Sequence, residues 1–128
     1  MPSILIVEDH DPDVRQCVKL FREIGIEKFE VVTGAEQAIH YLESAIEDPT
    51  RRPKLIVLDL VLGNGSGFEV LRFWKNSKQL NQIPLIVWTA VQTKTEQEMC
   101  KMFGVHACVQ KADGPPALLE AVSHLRVN

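Results

Sequence analysis

Positive charge is not in excess in this chain: 14 Lys and Arg stand against 17 Asp and Glu, a net charge of −3. That removes the basic footprint of a nucleic-acid binder. Cysteine is scarce. The three present (Cys17, Cys100, Cys108) match no zinc spacing and predict reduced thiols rather than a metal centre or a disulfide framework. No apolar run reaches the ~18 residues that span a bilayer, and no leader-like stretch precedes the first strand-like run. The reading is cytoplasmic, with no membrane contact. Repeats, low-complexity tracts and linkers are missing too, so the 128 residues are read as one domain over 1–128. A chain of that length buries roughly two-thirds of its unfolded surface and needs no staple.

What is present is a rhythm. Five short apolar runs, residues 3–7, 29–33, 55–58, 85–88 and 107–109, are mostly apolar at every position instead of alternating. Strands of that kind are buried on both faces, as in a parallel sheet. Between them, apolar residues recur at helical spacing: Val14, Cys17, Val18, Phe21 and Ile24, then Ala35, Ala38, Ile39, Leu42 and Ile46. Gly67, Leu71 and Trp74 follow, then Met99, Met102 and Phe103, and last Leu118, Ala121, Val122 and Leu125. Asp11-Pro12 reads as a helix start closed by Gly25, and Gly104 ends the fourth helix. Thr33/Glu36, Ser66/Glu69 and Thr93/Glu96 have capping-box spacing. Residues 48–54 are the one conspicuous loop. The sum is an α/β, doubly wound (βα)5 flavodoxin-like fold, a parallel five-stranded sheet with helices on both faces.

In such sheets the ligand site lies outside the carboxyl ends of the strands. The residues there are Glu8 and Asp9, Asp59, Thr89 and Lys111. Three carboxylates in one pocket repel each other, and a hard divalent cation such as Mg²⁺ relieves that repulsion. With Lys111 and the Thr89 hydroxyl beside it, the pocket suits a phosphoryl group, and one carboxylate is a candidate nucleophile. Asp9, Asp11 and Asp13 do not make a calcium loop, because Val14 and Leu20 occupy its Gly and Glu positions. Asp11 and Asp13 read instead as a cap and a favourable helix-start charge.

Ile4-Leu5-Ile6-Val7-Glu8-Asp9, Leu58-Asp59-Leu60 with Gly67 downstream, Trp88-Thr89-Ala90 and Gln110-Lys111 resemble the receiver domain of two-component response regulators, over essentially the whole chain. The resemblance implies a signalling switch rather than a dedicated enzyme. Asp59 matches the phosphoacceptor and Asp9 a direct Mg²⁺ ligand, with Glu8 acting through water and Val61 offering a backbone carbonyl. Thr89 and Lys111 match the residues that contact the phosphoryl group. The implied partners are a sensor histidine kinase or phosphotransfer protein and a downstream protein on the fourth helix, fifth strand and fifth helix, or a second copy in a homodimer. The loop at 48–54, the segment 78–84 and the lysine without a following proline resemble receivers paired with phytochrome-type kinases.

Three departures from the family stand out. The loop after the phosphoacceptor is Gly63-Asn64-Gly65-Ser66-Gly67, which predicts extra mobility. Ala112 replaces the proline after the lysine, which predicts a trans peptide there. Cys108 holds the position of the aromatic switch residue, leaving residues 91–103 as the route for conformational coupling. Two rival readings share the residues. A haloacid-dehalogenase-like phosphatase would use Asp9 of Asp9-x-Asp11 as nucleophile, but only 17 residues follow Lys111 and Asp59 would go unexplained. An interaction module of the same fold would bind partners without phosphorylation.

Overall fold

The computed structural model describes residues 3–63, 65–90 and 93–125. Asn64, Val91 and Gln92, and with them part of the Gly-rich loop and of the expected coupling route, lie outside the described residues. The strands are β1 (Ile4–Val7), β2 (Phe29–Val32), β3 (Leu55–Leu58), β4 (Leu85–Thr89) and β5 (Ala107–Gln110). The helices are α1 (Asp11–Glu23), α2 (Ala35–Glu47), α3 (Gly67–Asn76), α4 (Lys94–Phe103) and α5 (Pro115–Val122). All strand pairs are parallel, in the order β2-β1-β3-β4-β5. The expected (βα)5 architecture is what the chain adopts.

Burial follows from that order. β1, β3 and β4 are inside the sheet and buried at every position, while the edge strands β2 and β5 are only partly covered. One core packs α1 and α5 against Ile4, Ile6, Val57 and Trp88. The other packs α2, α3 and α4 against Leu5, Val7, Leu58 and Val87. The alternation of β-strand side chains divides each run between the two cores.

Several local expectations are corrected. The N-cap of α1 is His10, not Asp11, and its side chain makes no cap bond; Pro12 sits in the first turn. Gly34, rather than Thr33, caps α2, and Thr33 instead donates its N–H and hydroxyl to Gln37 Oε1. Ser66 caps α3 by accepting from Phe68 N–H at 3.1 Å. Thr93 and Glu96 form the full reciprocal box. Gly104 ends α4 at φ 71°, in the left-handed region that glycine enters without a Cβ penalty. On α4 the sheet-facing residue is Cys100, buried, whereas Met102 is 80% exposed and belongs to no core. The loop at 48–54 holds a 3-10 turn (Pro49–Arg51), and the Arg52 guanidinium donates to the Ala45 and Ile46 carbonyls at the end of α2. No peptide bond among the described residues is cis, so Lys111–Ala112 is trans, inside a 3-10 turn (Lys111–Asp113).

Candidate functional site

The sheet ladder runs on past the strands and sets the first site residues. Glu8 N–H donates to Val32 O at 3.0 Å, and Asp59 N–H donates to Val7 O at 3.0 Å. The backbones of Glu8 and Asp59 are thus fixed side by side at the carboxyl ends of β1 and β3. Glu8, Asp59 and Thr89 are the buried polar residues of the described chain. Glu8, Asp9 and Asp59 each present a carboxylate oxygen within 4.8 Å of the others. This is the acidic cluster the sequence predicts.

Lys111 reaches in from the end of β5. Its Nζ lies 2.5 Å from Glu8 Oε1, 2.8 Å from Asp13 Oδ2 and 3.0 Å from Asp59 Oδ2. An ammonium has three protons to donate, so these three carboxylates use all of them. The same Nζ stands 5.2 Å over the Trp88 ring, where the π face favours a cation. The second oxygens of Glu8 and Asp59 are also engaged. Glu8 Oε2 accepts from His10 N–H at 3.1 Å and Asp59 Oδ1 from Val61 N–H at 3.1 Å. Asp9, exposed, accepts from Gly63 N–H at 2.7 Å; a Cβ on Gly63 would come within 2.6 Å of that same Asp9 oxygen.

The sequence missed Asp13 as a site residue. It was read as a helix-start charge, yet its carboxylate bonds Lys111 and also lies 2.9 Å from His10 Nδ1. Position in the first turn of α1, one turn beyond Asp9, is the signal that could have found it. Thr89 ends β4 opposite Gln110, wholly buried, and its hydroxyl has no hydrogen-bond partner among the described residues. Val61, 63% exposed, lines the cluster through its N–H bond to Asp59 and pairs with Ser66 in a single antiparallel bridge. Cys108 is not in this cluster; it faces Cys100 beneath α4.

Charge in so dry a place distorts proton affinity. Burial pushes the Glu8 carboxyl up to about 7; the Lys111 hydrogen bond resists, and the neighbouring Asp59 charge adds to the rise. Partial burial acts on Asp13 the same way, but its bonds to Lys111 and His10 prevail and hold it below the usual carboxylate range. Burial works against the Lys111 charge, and the bonds to Asp13, Glu8 and Asp59 overcome it, raising the ammonium well above its ordinary range.

A pH dependence follows. With Glu8 near 7 in the native state and 4.5 as its ordinary value, the folded protein binds more protons between those pH values. Stability from this group is therefore highest below about pH 4.5 and falls as pH rises towards 7. Glu8→Gln, which cannot ionise, should flatten that part of the stability–pH curve by about 2 kcal/mol in metal-free buffer. Urea unfolding of both proteins at pH 5 and pH 8 checks it. Parallel curves would refute a buried, proton-hungry Glu8.

Against known proteins, residues 4–123 match the family model of the response regulator receiver domain. The chain is 31% identical over 120 residues to the polar-differentiation response regulator DivK of Brucella anthropi, spanning 94% of this chain and 92% of that one. Among solved structures it resembles the bacteriophytochrome response regulator RtBRR at 29% identity and TM-score 0.79, over 96% of this chain and 77% of the other. It also resembles the phosphorylated cyanobacterial phytochrome response regulator RcpA at 25% identity and TM-score 0.80, over 93% and 86% of the two chains.

Proposed function

The chain belongs to the response regulator receiver family, a signalling domain of two-component systems, and we propose that it is a phosphorylation-dependent switch with Asp59 as phosphoacceptor. The observation that carries the reading is the placement of Asp59: a buried carboxylate at the end of β3, with Lys111 on Oδ2 and two further carboxylates beside it. An Asp59 oxygen attacks the phosphorus of a partner's phosphohistidine. The P–N bond breaks, and its electron pair leaves with the imidazole. Lys111 offsets negative charge on the phosphoryl oxygens. The Thr89 hydroxyl, buried and without a partner among the described residues, is a donor ready for a phosphoryl oxygen.

The donor set also suits Mg²⁺. Glu8, Asp9, Asp13 and Asp59 outnumber the single ammonium among them, and hard carboxylate oxygens are the ligands Mg²⁺ takes. Asp9, Asp59 and the Val61 carbonyl would hold it directly and Glu8 through water. When bound, it supplies the positive charge that brings an anionic phosphoryl donor to an anionic pocket. A sensor histidine kinase or phosphotransfer protein is the proposed donor. A phytochrome-type kinase is favoured because RtBRR and RcpA are both phytochrome response regulators. The downstream partner would read α4, β5 and α5.

Incubation with a small acyl phosphate and Mg²⁺ should add one hydroxylamine-labile phosphoryl group at Asp59, seen by intact mass and peptide mapping. Asp59→Asn should abolish it with the fold retained. A label on Asp9 would hand the site to a phosphatase-type mechanism, and no uptake by the wild type would leave a binding-only module.

A further inference from the structure

We propose that Cys100 and Cys108 form a reversible dithiol–disulfide site that joins the last turn of α4 to the edge strand β5. Their Sγ atoms lie 3.2 Å apart. A disulfide needs about 2.05 Å, so an approach of roughly 1 Å closes the bond. The backbone already delivers both residues. Val105 N–H donates to Cys100 O at 3.2 Å around the left-handed Gly104, and β5 is held in register with Cys108 opposite Val87. Eight positions separate the two cysteines, a short loop whose geometry the turn at Gly104 has set.

Cys100 is itself nearly covered, while Cys108 beside it is only partly buried and opens the pair to one side. A cavity of about 320 Å³ is lined by both cysteines together with Gln97, Lys101 and His106, room enough for a small oxidant. The hydrogen bond between the thiols favours the Cys100 thiolate, with Cys108 correspondingly harder to ionise. Cys17 is the internal contrast. It is fully buried in the opposite core, and burial pushes its thiol up, out of reach of the same chemistry.

The oxidant is hydrogen peroxide. The Cys100 thiolate attacks one peroxide oxygen, the O–O bond breaks, and the departing oxygen leaves as water after taking a proton. The resulting sulfenic acid is attacked by the Cys108 sulfur, which forms the S–S bond and releases a second water. Two electrons pass from the two thiols to the peroxide, and a dithiol reductant returns them. The closed bond ties α4 to the sheet at the position where receivers carry an aromatic switch residue.

The test is a thiol count on the full chain. After hydrogen peroxide, quenching, denaturation and maleimide alkylation, the wild type should be 2 Da lighter before alkylation and take one maleimide, at Cys17. Peptide mapping should join the peptides holding 100 and 108, and dithiothreitol should restore three reactive thiols. Asp59→Asn should behave identically, since nothing here depends on phosphorylation. Cys108→Ser should lose the 2 Da species and gain oxygen at Cys100 instead, whereas Cys100→Ser, lacking the attacking thiolate, should lose the 2 Da species and keep Cys108 as a free thiol. Wild type that only gains oxygen, bridges through Cys17, or forms the bond between two copies would overturn the proposal.

Discussion

Lys111→Met should destabilise the metal-free protein by about 3–5 kcal/mol at pH 8, and by clearly less at pH 5. Among the described residues the lysine is the single cation bonded to Glu8, Asp13 and Asp59 at once, two of which are buried. Removing one partner of a buried ion pair strands the other, and here one change strands Glu8 and Asp59 and leaves Asp13 with His10 alone. Methionine keeps most of the aliphatic volume against Trp88, so the loss is electrostatic rather than a cavity. The pH dependence has a definite sign. Glu8, already raised to about 7, is protonated at pH 5 and needs no counter-charge there, so the deficit opens as pH rises through that value. Urea unfolding at both pH values measures it, and equal losses would contradict the charge argument. Adding Mg²⁺ at pH 8 should restore much of the deficit.

The second large effect belongs to a residue with no functional atoms. Gly67→Ala should cost about 3 kcal/mol or more and slow phosphoryl uptake at Asp59 as well. A Cβ at Gly67 would press on the Asp59 carbonyl oxygen and come within 2.6 Å of Leu60 Cα. These are backbone atoms, so no rotamer change relieves the contact. The segment cannot retreat, because Gly67 N–H donates to Leu60 O at 3.1 Å and Asp59 N–H is tied to Val7 O. Gly25→Ala is the matched control: φ there is 91° but nothing lies within 4 Å of the added carbon. Only backbone strain of about 1 kcal/mol is expected at that position. A Gly67→Ala protein as stable as the control would sink the close-approach argument.

How much of this was legible depended on where the constraint lay along the chain. β1, β3 and β4 are buried on both faces, so each is continuously apolar and their runs mark them. β4 and β5 each extend one residue beyond their apolar run, to Thr89 and Gln110, because ladder hydrogen bonds ignore side-chain polarity. The four polar strand ends were readable because the topology alone brings them to one rim. Asp13 was not, since its contact with Lys111 spans 98 residues of sequence and depends on where the start of α1 meets the end of β5. The face of α4 was misassigned for a related reason. Met99, Met102 and Phe103 are the apolar residues there, but the sheet-facing stripe runs through Glu96, Met99, Cys100 and Phe103. The helix buries only one side chain completely, so its sheet-facing stripe carries little apolar signal and Cys100, the smallest of the candidates, was overlooked.

That weak attachment has its own mechanical meaning. α4 is completed at both ends from within its own segment, by the Thr93–Glu96 box and by the left-handed Gly104, and it sinks a single fully buried side chain, Cys100, into the core. Its internal hydrogen bonds therefore survive if it slides on the sheet, and such a slide uncovers little apolar area. α3, with Val70, Leu71 and Trp74 buried and the Trp74 indole N–H bonded to Ile83 O, has no such freedom. Native-state hydrogen exchange should separate the two: α4 amides open in small, low-energy excursions, α3 amides only with the global event. The fold thus places a stiff, lightly seated rod next to a charged rim, so that displacement of α4 transmits as translation of an intact element rather than as melting.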